Sequence, residues 1–143
     1  MLYSQIYLKM VDERVNKYLE VEKMKAHIKA TQDELNRIAT TVEELQITKE
    51  FLDNMSAIED NTEVLIPLGS GVYVMAEITR SDRVYINAGG VVGKQGLKDG
   101  INFLEKQLKT LNEAKEKLET QITALVDKLQ KTRLEIEASL KNR

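Results

Sequence analysis

The chain has no cysteine, no tryptophan, two phenylalanines, one histidine, one proline and only seven glycines among its 143 residues. Each shortage removes something. Without cysteine there is no disulfide framework, thiolate metal site or cysteine nucleophile. With a single histidine, His27, there is little from which to build an imidazole metal centre or a His-based catalytic site. Aromatics at 5% argue against a conventional globular interior, which draws much of its buried area from Phe, Tyr and Trp. The 21 basic and 23 acidic residues leave a net charge of −2, so no general attraction to nucleic acid or to an anionic membrane is expected. No apolar run approaches the ~18 residues of a spanning helix. The N-terminal MLYSQIYLKMV lacks a basic leader and a small-residue cleavage site, so a signal peptide is not expected and an intracellular protein is. The composition points away from an enzyme, and no cofactor is expected.

What is present is strongly ordered along the chain. All seven glycines fall between Gly69 and Gly100, and Pro67 is the only other breaker. A long helix over 1–60, a compact β segment over 61–94 and a second long helix over 95–143 follow. With Ile28 as position a, the a and d sites of the first helix are Tyr7, Met10, Arg14, Lys17, Val21, Met24, Ile28, Thr31, Leu35, Ile38, Val42, Leu45, Lys49 and Leu52. In the second they are Ile101, Leu104, Leu108, Leu111, Lys115, Leu118, Ile122, Leu125, Leu129, Thr132, Ile136 and Ser139. Ten of the first fourteen and nine of the second twelve are apolar, which is a coiled-coil seam. The two stretches match at about 45 residues, or roughly 70 Å each. Equal helices joined by a compact reversal predict an antiparallel hairpin, with Met1 and Arg143 brought together at its tip. Lys49 and Lys115 on the seam read as residues that set register or sit near an end of it, not as sites of chemistry.

The middle segment alternates strand and turn. Glu63–Leu68, Val72–Ile78, Val84–Ala88 and Val91–Gly93 are separated by Gly69-Ser-Gly71, a polar turn and Gly89-Gly90, which predicts two β-hairpins. Pro67 cannot donate to a ladder, so its strand should be an edge or irregular. Some 32 residues cannot hold a core unaided, since below about 40 a metal, disulfides or association is needed. Val72, Val74, Ala76 and Ile78 line one face while Tyr73 and Met75 make the other apolar. Val64, Ile66, Leu68, Val72, Val74, Ile78, Val84, Ile86, Val91 and Val92 are therefore expected to join several chains into a shared β-body, making the protein an obligate oligomer. The fold class is α+β.

Sites for chemistry are few. Ala88–Gly93 lacks the βαβ surroundings of a dinucleotide turn, and Gly69–Gly71 lacks the Lys-Ser/Thr of a phosphate loop; both read as hairpin glycines. The Glu/Lys runs read as solvated helix faces. The N-terminus fits a narrow seam poorly, because eight of its first eleven residues are apolar. Leu2, Tyr3, Ile6, Tyr7, Leu8 and Met10, with Leu134, Ile136 and Leu140 at the same end, form a candidate sticky tip for non-native chains. A frayed terminus, or packing on another subunit, is the alternative.

The run Val64-Leu-Ile-Pro-Leu-Gly-Ser-Gly-Val-Tyr-Val-Met-Ala-Glu-Ile78, continued by Val84-Tyr-Ile-Asn-Ala-Gly-Gly-Val-Val-Gly93 and Phe103-Leu104-Glu105-Lys106, resembles the alpha class of prefoldin. Two hairpins rather than one favour alpha over beta. The resemblance implies an ATP-independent holdase in the cytosol: alpha and beta subunits in a hexamer with a double β-barrel body, whose coiled-coil tips pass unfolded clients to a group II chaperonin. A homo-oligomer or filament is the alternative assembly. One departure is Lys94–Gly100. Gln95 is a poor cap, and Gly96 and Gly100 each cost about 1 kcal/mol in a helix, which predicts a delayed or bent start to the second helix.

Overall fold

The structure, a computed structural model, describes residues 2–141. The order is α1 (Leu2–Met55), β1 (Thr62–Gly69), β2 (Val72–Ile78), β3 (Arg83–Ala88), β4 (Val91–Gly96) and α2 (Leu97–Lys141). β1 pairs with β2 and β3 with β4, each antiparallel, in two separate two-stranded sheets. The chain divides into two compact units, residues 1–40 with 113–143 and residues 41–112.

In the first unit the helices run antiparallel along the expected seam. Val21, Met24, Leu129 and Ile136 form its buried cluster, with Ile28 packed against it. Buried Thr31 and Thr132 sit at d sites and donate their hydroxyls to the His27 and Lys128 carbonyls one turn back, which satisfies them without a cross-helix partner. Arg14 donates to the Ser139 hydroxyl at 3.3 Å and to its carbonyl at 3.2 Å, and Lys17 lies 3.8 Å from Glu135. These pairs fix the register.

In the second unit, α1 ends at Met55, short of the expected boundary at 60. Ala57 and Ile58 donate to the Asn54 and Met55 carbonyls, and Asn61 then adopts φ 65°, reversing the chain so that its N–H meets the Ile78 carbonyl at 2.6 Å. The β1–β2 turn has φ 53° at Ser70 and 78° at Gly71, and the β3–β4 turn has 60° at Gly89 and 84° at Gly90. Two consecutive positive φ values are the hairpin geometry whose twist matches the strands. The register slips between Pro67 and Gly69, so the proline strand is both an edge and irregular, as its missing donor requires.

β4 runs on to Gly96, beyond Gly93, with Lys94 opposite Tyr85 and Gln95 opposite Val84. α2 therefore starts at Leu97, two residues later than the expected boundary at 95. Its first N–H donates to the Asp82 carbonyl at 2.9 Å, so a residue of the β2–β3 turn does the work of a cap. Gly100 is buried in the first turn. A Cβ there would stand 2.6 Å from Val84 Cγ2, so the glycine lets β3 approach the helix.

Candidate functional site

The apolar end of α1 and the two hairpins are the surfaces on which function could rest. The seam explains the first. Arg14 opposite Ser139 and Lys17 opposite Glu135 set the antiparallel register, which brings Lys141, the last described residue of α2, opposite about residue 12. Leu2–Lys9 thus has no described residue of α2 facing it, and Met10 meets α2 only at the edge of a small cleft with Ile136 and Ser139. Leu2, Tyr3, Ile6, Tyr7, Leu8 and Met10 are all exposed, Tyr3 to 87%. Tyr7 and Met10 occupy a and d sites in the heptad pattern yet are 64% and 50% exposed. Of the α2 residues in this group, Leu134 and Leu140 are exposed. Ile136 is 9% exposed within the cluster of Val21, Met24 and Leu129, so it supports the tip from beneath rather than lining its surface. Met1 and Arg143, expected to meet at the tip, lie outside the described residues.

Periodicity overlooked one group. Val15, Tyr18 and Leu19 are each about half exposed on α1. With Leu8 and the half-buried Val11, Val15 and Tyr18 repeat at 3–4 spacing on b and e sites, a second apolar stripe beside the seam.

The hairpins are uncovered on both sides. Val64 faces Ala76 and Ile66 faces Val74 on one side; Leu65 faces Met75 and Pro67 faces Tyr73 on the other. Val72, Val74, Ile66 and Leu68 are exposed, as are Leu65, Met75 and Tyr73. Ile78, Val84 and Ile86 are half-buried, while Val91 and Val92 are exposed on β4. An apolar cavity of about 650 Å³ lies in this unit between the hairpins and the helix ends, lined by Phe51, Met55, Val64, Ile66, Tyr85 and Phe103 among others.

The charged groups hold the scaffold. Lys49, on an a site, reaches Asp53 at 3.1 Å and Glu105 at 3.7 Å, tying the two helices at this level. The hydrogen bond to Asp53 leads in raising its pKa, followed by the charges of Asp53 and Glu105. Arg80 donates to both carboxylate oxygens of Asp82 at 3.2 Å, which lowers the Asp82 pKa and raises its own. Asp60 accepts from the Ser81 N–H and hydroxyl, so the same turn that caps α2 is tied to the α1–β1 loop. Among the described residues no three His, Cys, Asp or Glu side chains are grouped to hold a metal ion, and no helix is long and apolar enough to cross a membrane.

Antiparallel helices joined through two hairpins with uncovered apolar faces define a class of coiled-coil, double-hairpin chains. Proteins of related sequence give the class its name. The model of the family described as Prefoldin subunit matches residues 24–142. The prefoldin subunit alpha of Pyrococcus horikoshii is 31% identical over 108 residues, 74% of this chain and 72% of that one. That of Thermofilum pendens is 28% identical over 111 residues, covering 77% and 83%. In fold, the chain is similar to a cryo-EM structure of filamentous PFD from Methanocaldococcus jannaschii, with a TM-score of 0.69 at 22% identity over 81% of this chain and 97% of that one. The chain belongs to the prefoldin family and to its alpha class. It is a chaperone subunit that assembles with other prefoldin subunits or with copies of itself.

Proposed function

We propose that the chain holds non-native polypeptides at the apolar end of its coiled coil, as one arm of an ATP-independent, cytosolic assembly that hands them to a group II chaperonin. The observation that carries this reading is the exposed run from Leu2 to Met10, where every large apolar side chain faces solvent although two of them sit on seam sites. Exposed apolar surface on this scale marks an interaction site. Tyrosine and methionine give contact area without demanding one shape, which suits unlike clients. Each contact is weak, and several arms acting on one client supply avidity while each remains free to let go. Such work makes and breaks no covalent bond, so no catalytic residue or cofactor is called for. Under the same reading Val64, Ile66, Leu68, Val72, Val74, Ile78, Val84, Ile86, Val91 and Val92 join hairpins of neighbouring subunits, beta-class or identical, and a partner strand closes the cavity beside Ile66 and Phe103.

Removing residues 1–8 tests the proposal. Suppression of aggregation of a chemically unfolded client should fall severalfold while the mass of the assembly stays unchanged. Full suppression by the shortened chain would refute capture at the tip. Self-assembly into a filament is the second reading, favoured by the similarity of fold to a filamentous PFD. In that case open edge-to-edge pairing of the hairpins replaces a closed body.

A further inference from the structure

Charge changes sign in levels along the first unit. With the register set by Arg14 and Ser139, residues 20–30 stand opposite about 123–133. That level carries six cations, Lys23, Lys25, Lys29, Lys128, Lys131 and Arg133, against three carboxylates, Glu20, Glu22 and Asp127. Nearer the tip, residues 2–19 and 134–141 carry four of each sign. On the side away from the tip, residues 31–40 and 113–122 carry three cations and five carboxylates. A basic collar thus lies directly behind the apolar end, although the chain as a whole is acidic.

The collar is available to a ligand. Lys25 is engaged by Glu22 at 3.3 Å. Lys23, Lys29, Lys128, Lys131 and Arg133 are exposed and have no carboxylate within ion-pair distance among the described residues. They occupy b, c, e and g sites, so they ring the helix pair instead of lining one side. The second apolar stripe, Leu8, Val11, Val15 and Tyr18, runs along α1 and stops where the collar begins.

We propose that this collar makes the site selective for non-native segments in which an apolar run is flanked closely, on either side, by acidic residues. The inference rests on capture at the tip and adds the chemical class of what is captured. The apolar run lies on the stripe and the tip, and the acidic residues meet the unpaired cations. Geometry sets the spacing. From Tyr18 to Lys23 and Lys29 the helix rises about 8 and 17 Å. An extended client advancing about 3.3 Å per residue covers those distances in roughly two to five residues. Acidic residues two to five positions from the apolar anchor nearest them are therefore the preferred arrangement. Solvent-exposed charges also supply a term that salt removes.

The test uses the assembled protein and three labelled peptides sharing one apolar run. The positions flanking it on both sides carry Glu, Gln or Lys. At low salt the Glu peptide should bind about three- to tenfold more tightly than the Gln peptide, the scale of a few exposed ion pairs, and the Lys peptide more weakly than either. The difference should close near 0.5 M salt, where the screening length is only about 4 Å. A variant with Lys23→Gln, Lys29→Gln, Lys131→Gln and Arg133→Gln should lose the preference while binding the Gln peptide as before. Equal binding of the three peptides at low salt would remove the charge selection and leave tip capture standing. Binding of none of them would remove both.

Discussion

At the scale of single residues, Gly100 separates local preference from tertiary need. In a helix interior glycine is inferior to alanine by about 1 kcal/mol, so helix propensity alone would recommend Gly100→Ala. The neighbouring strand forbids it, because the added Cβ would lie 2.6 Å from Val84 Cγ2 and 3.7 Å from Leu52 Cδ1. Overpacking of that kind costs about 1–3 kcal/mol and outweighs the gain in propensity. Gly100→Ala should therefore destabilise the protein by up to about 2 kcal/mol, seen as a lower urea midpoint followed by circular dichroism. Introduced into Val84→Ala, where the offending methyls are gone, the same change should be neutral or stabilising. Loss of stability in both backgrounds would show that the glycine answers to something other than β3.

At the scale of elements, the seam marks which helix positions matter. Every a and d site from Arg14 to Leu52 is buried or half-buried, as is every one from Ile101 to Ser139. Leu129 packs with Val21, Met24 and Ile136, whereas Leu134 on the same helix is 64% exposed. Leu129→Ala should cost about 2–3 kcal/mol, toward the low end for a core leucine because a two-helix seam is narrow and can close in. Leu134→Ala should stay within about 0.5 kcal/mol. Hydrogen exchange of the 14–35 and 118–139 amides would check this, with faster exchange in the first variant only. The seam was legible because a 3–4 repeat survives any detail of packing, and the hairpins were legible because glycine pairs punctuate β-branched runs. Three features were not. Lys94 and Gln95 lie in β4, but polar residues in an exposed two-stranded sheet leave no pattern to read. The cap on α2 comes from Asp82, distant in sequence, where a local reading could find only Gln95 and Gly96. Tyr7 and Met10 read both as seam sites and as tip residues, and which of the two holds depends on where the opposing helix is, which a single-helix repeat does not contain. The apolar excess of the first eleven residues exceeds what one seam can bury, and Leu2, Tyr3, Ile6, Tyr7, Leu8 and Met10 are exposed. The stripe through Val15 and Tyr18 was present in the same repeat, one position along.

For the whole molecule the governing fact is surface. A compact monomer of 16.3 kDa exposes roughly 7,500 Å², whereas this chain exposes 11141 Å². The hairpins add to that excess in a form that water does not tolerate well. Leu65, Met75 and Tyr73 are each at least 60% exposed on one face, and Ile66 and Val74 more than 40% on the other. Isolated two-stranded hairpins are marginal in water, and each also leaves two strand edges unpaired. Association through the hairpins would remove both penalties at once, by covering apolar faces and by extending the ladders, and would couple assembly to β folding. A charge placed in the middle of the shared face should break that coupling. In Val74→Glu the new carboxylate faces Ile66 across the ladder, and burying it without a partner is costly enough to oppose association. The expected result by light scattering is a shift from the assembled mass toward that of one chain, whether the protein is alone or mixed with a beta-class subunit. Circular dichroism should retain the helical signal of the paired helices, which draw on their own seam. An unchanged mass would mean that the β1–β2 hairpin is not what joins the subunits. The surviving assembly would then have to form through β3 and β4, where Tyr85, Val91 and Val92 offer the remaining exposed apolar surface.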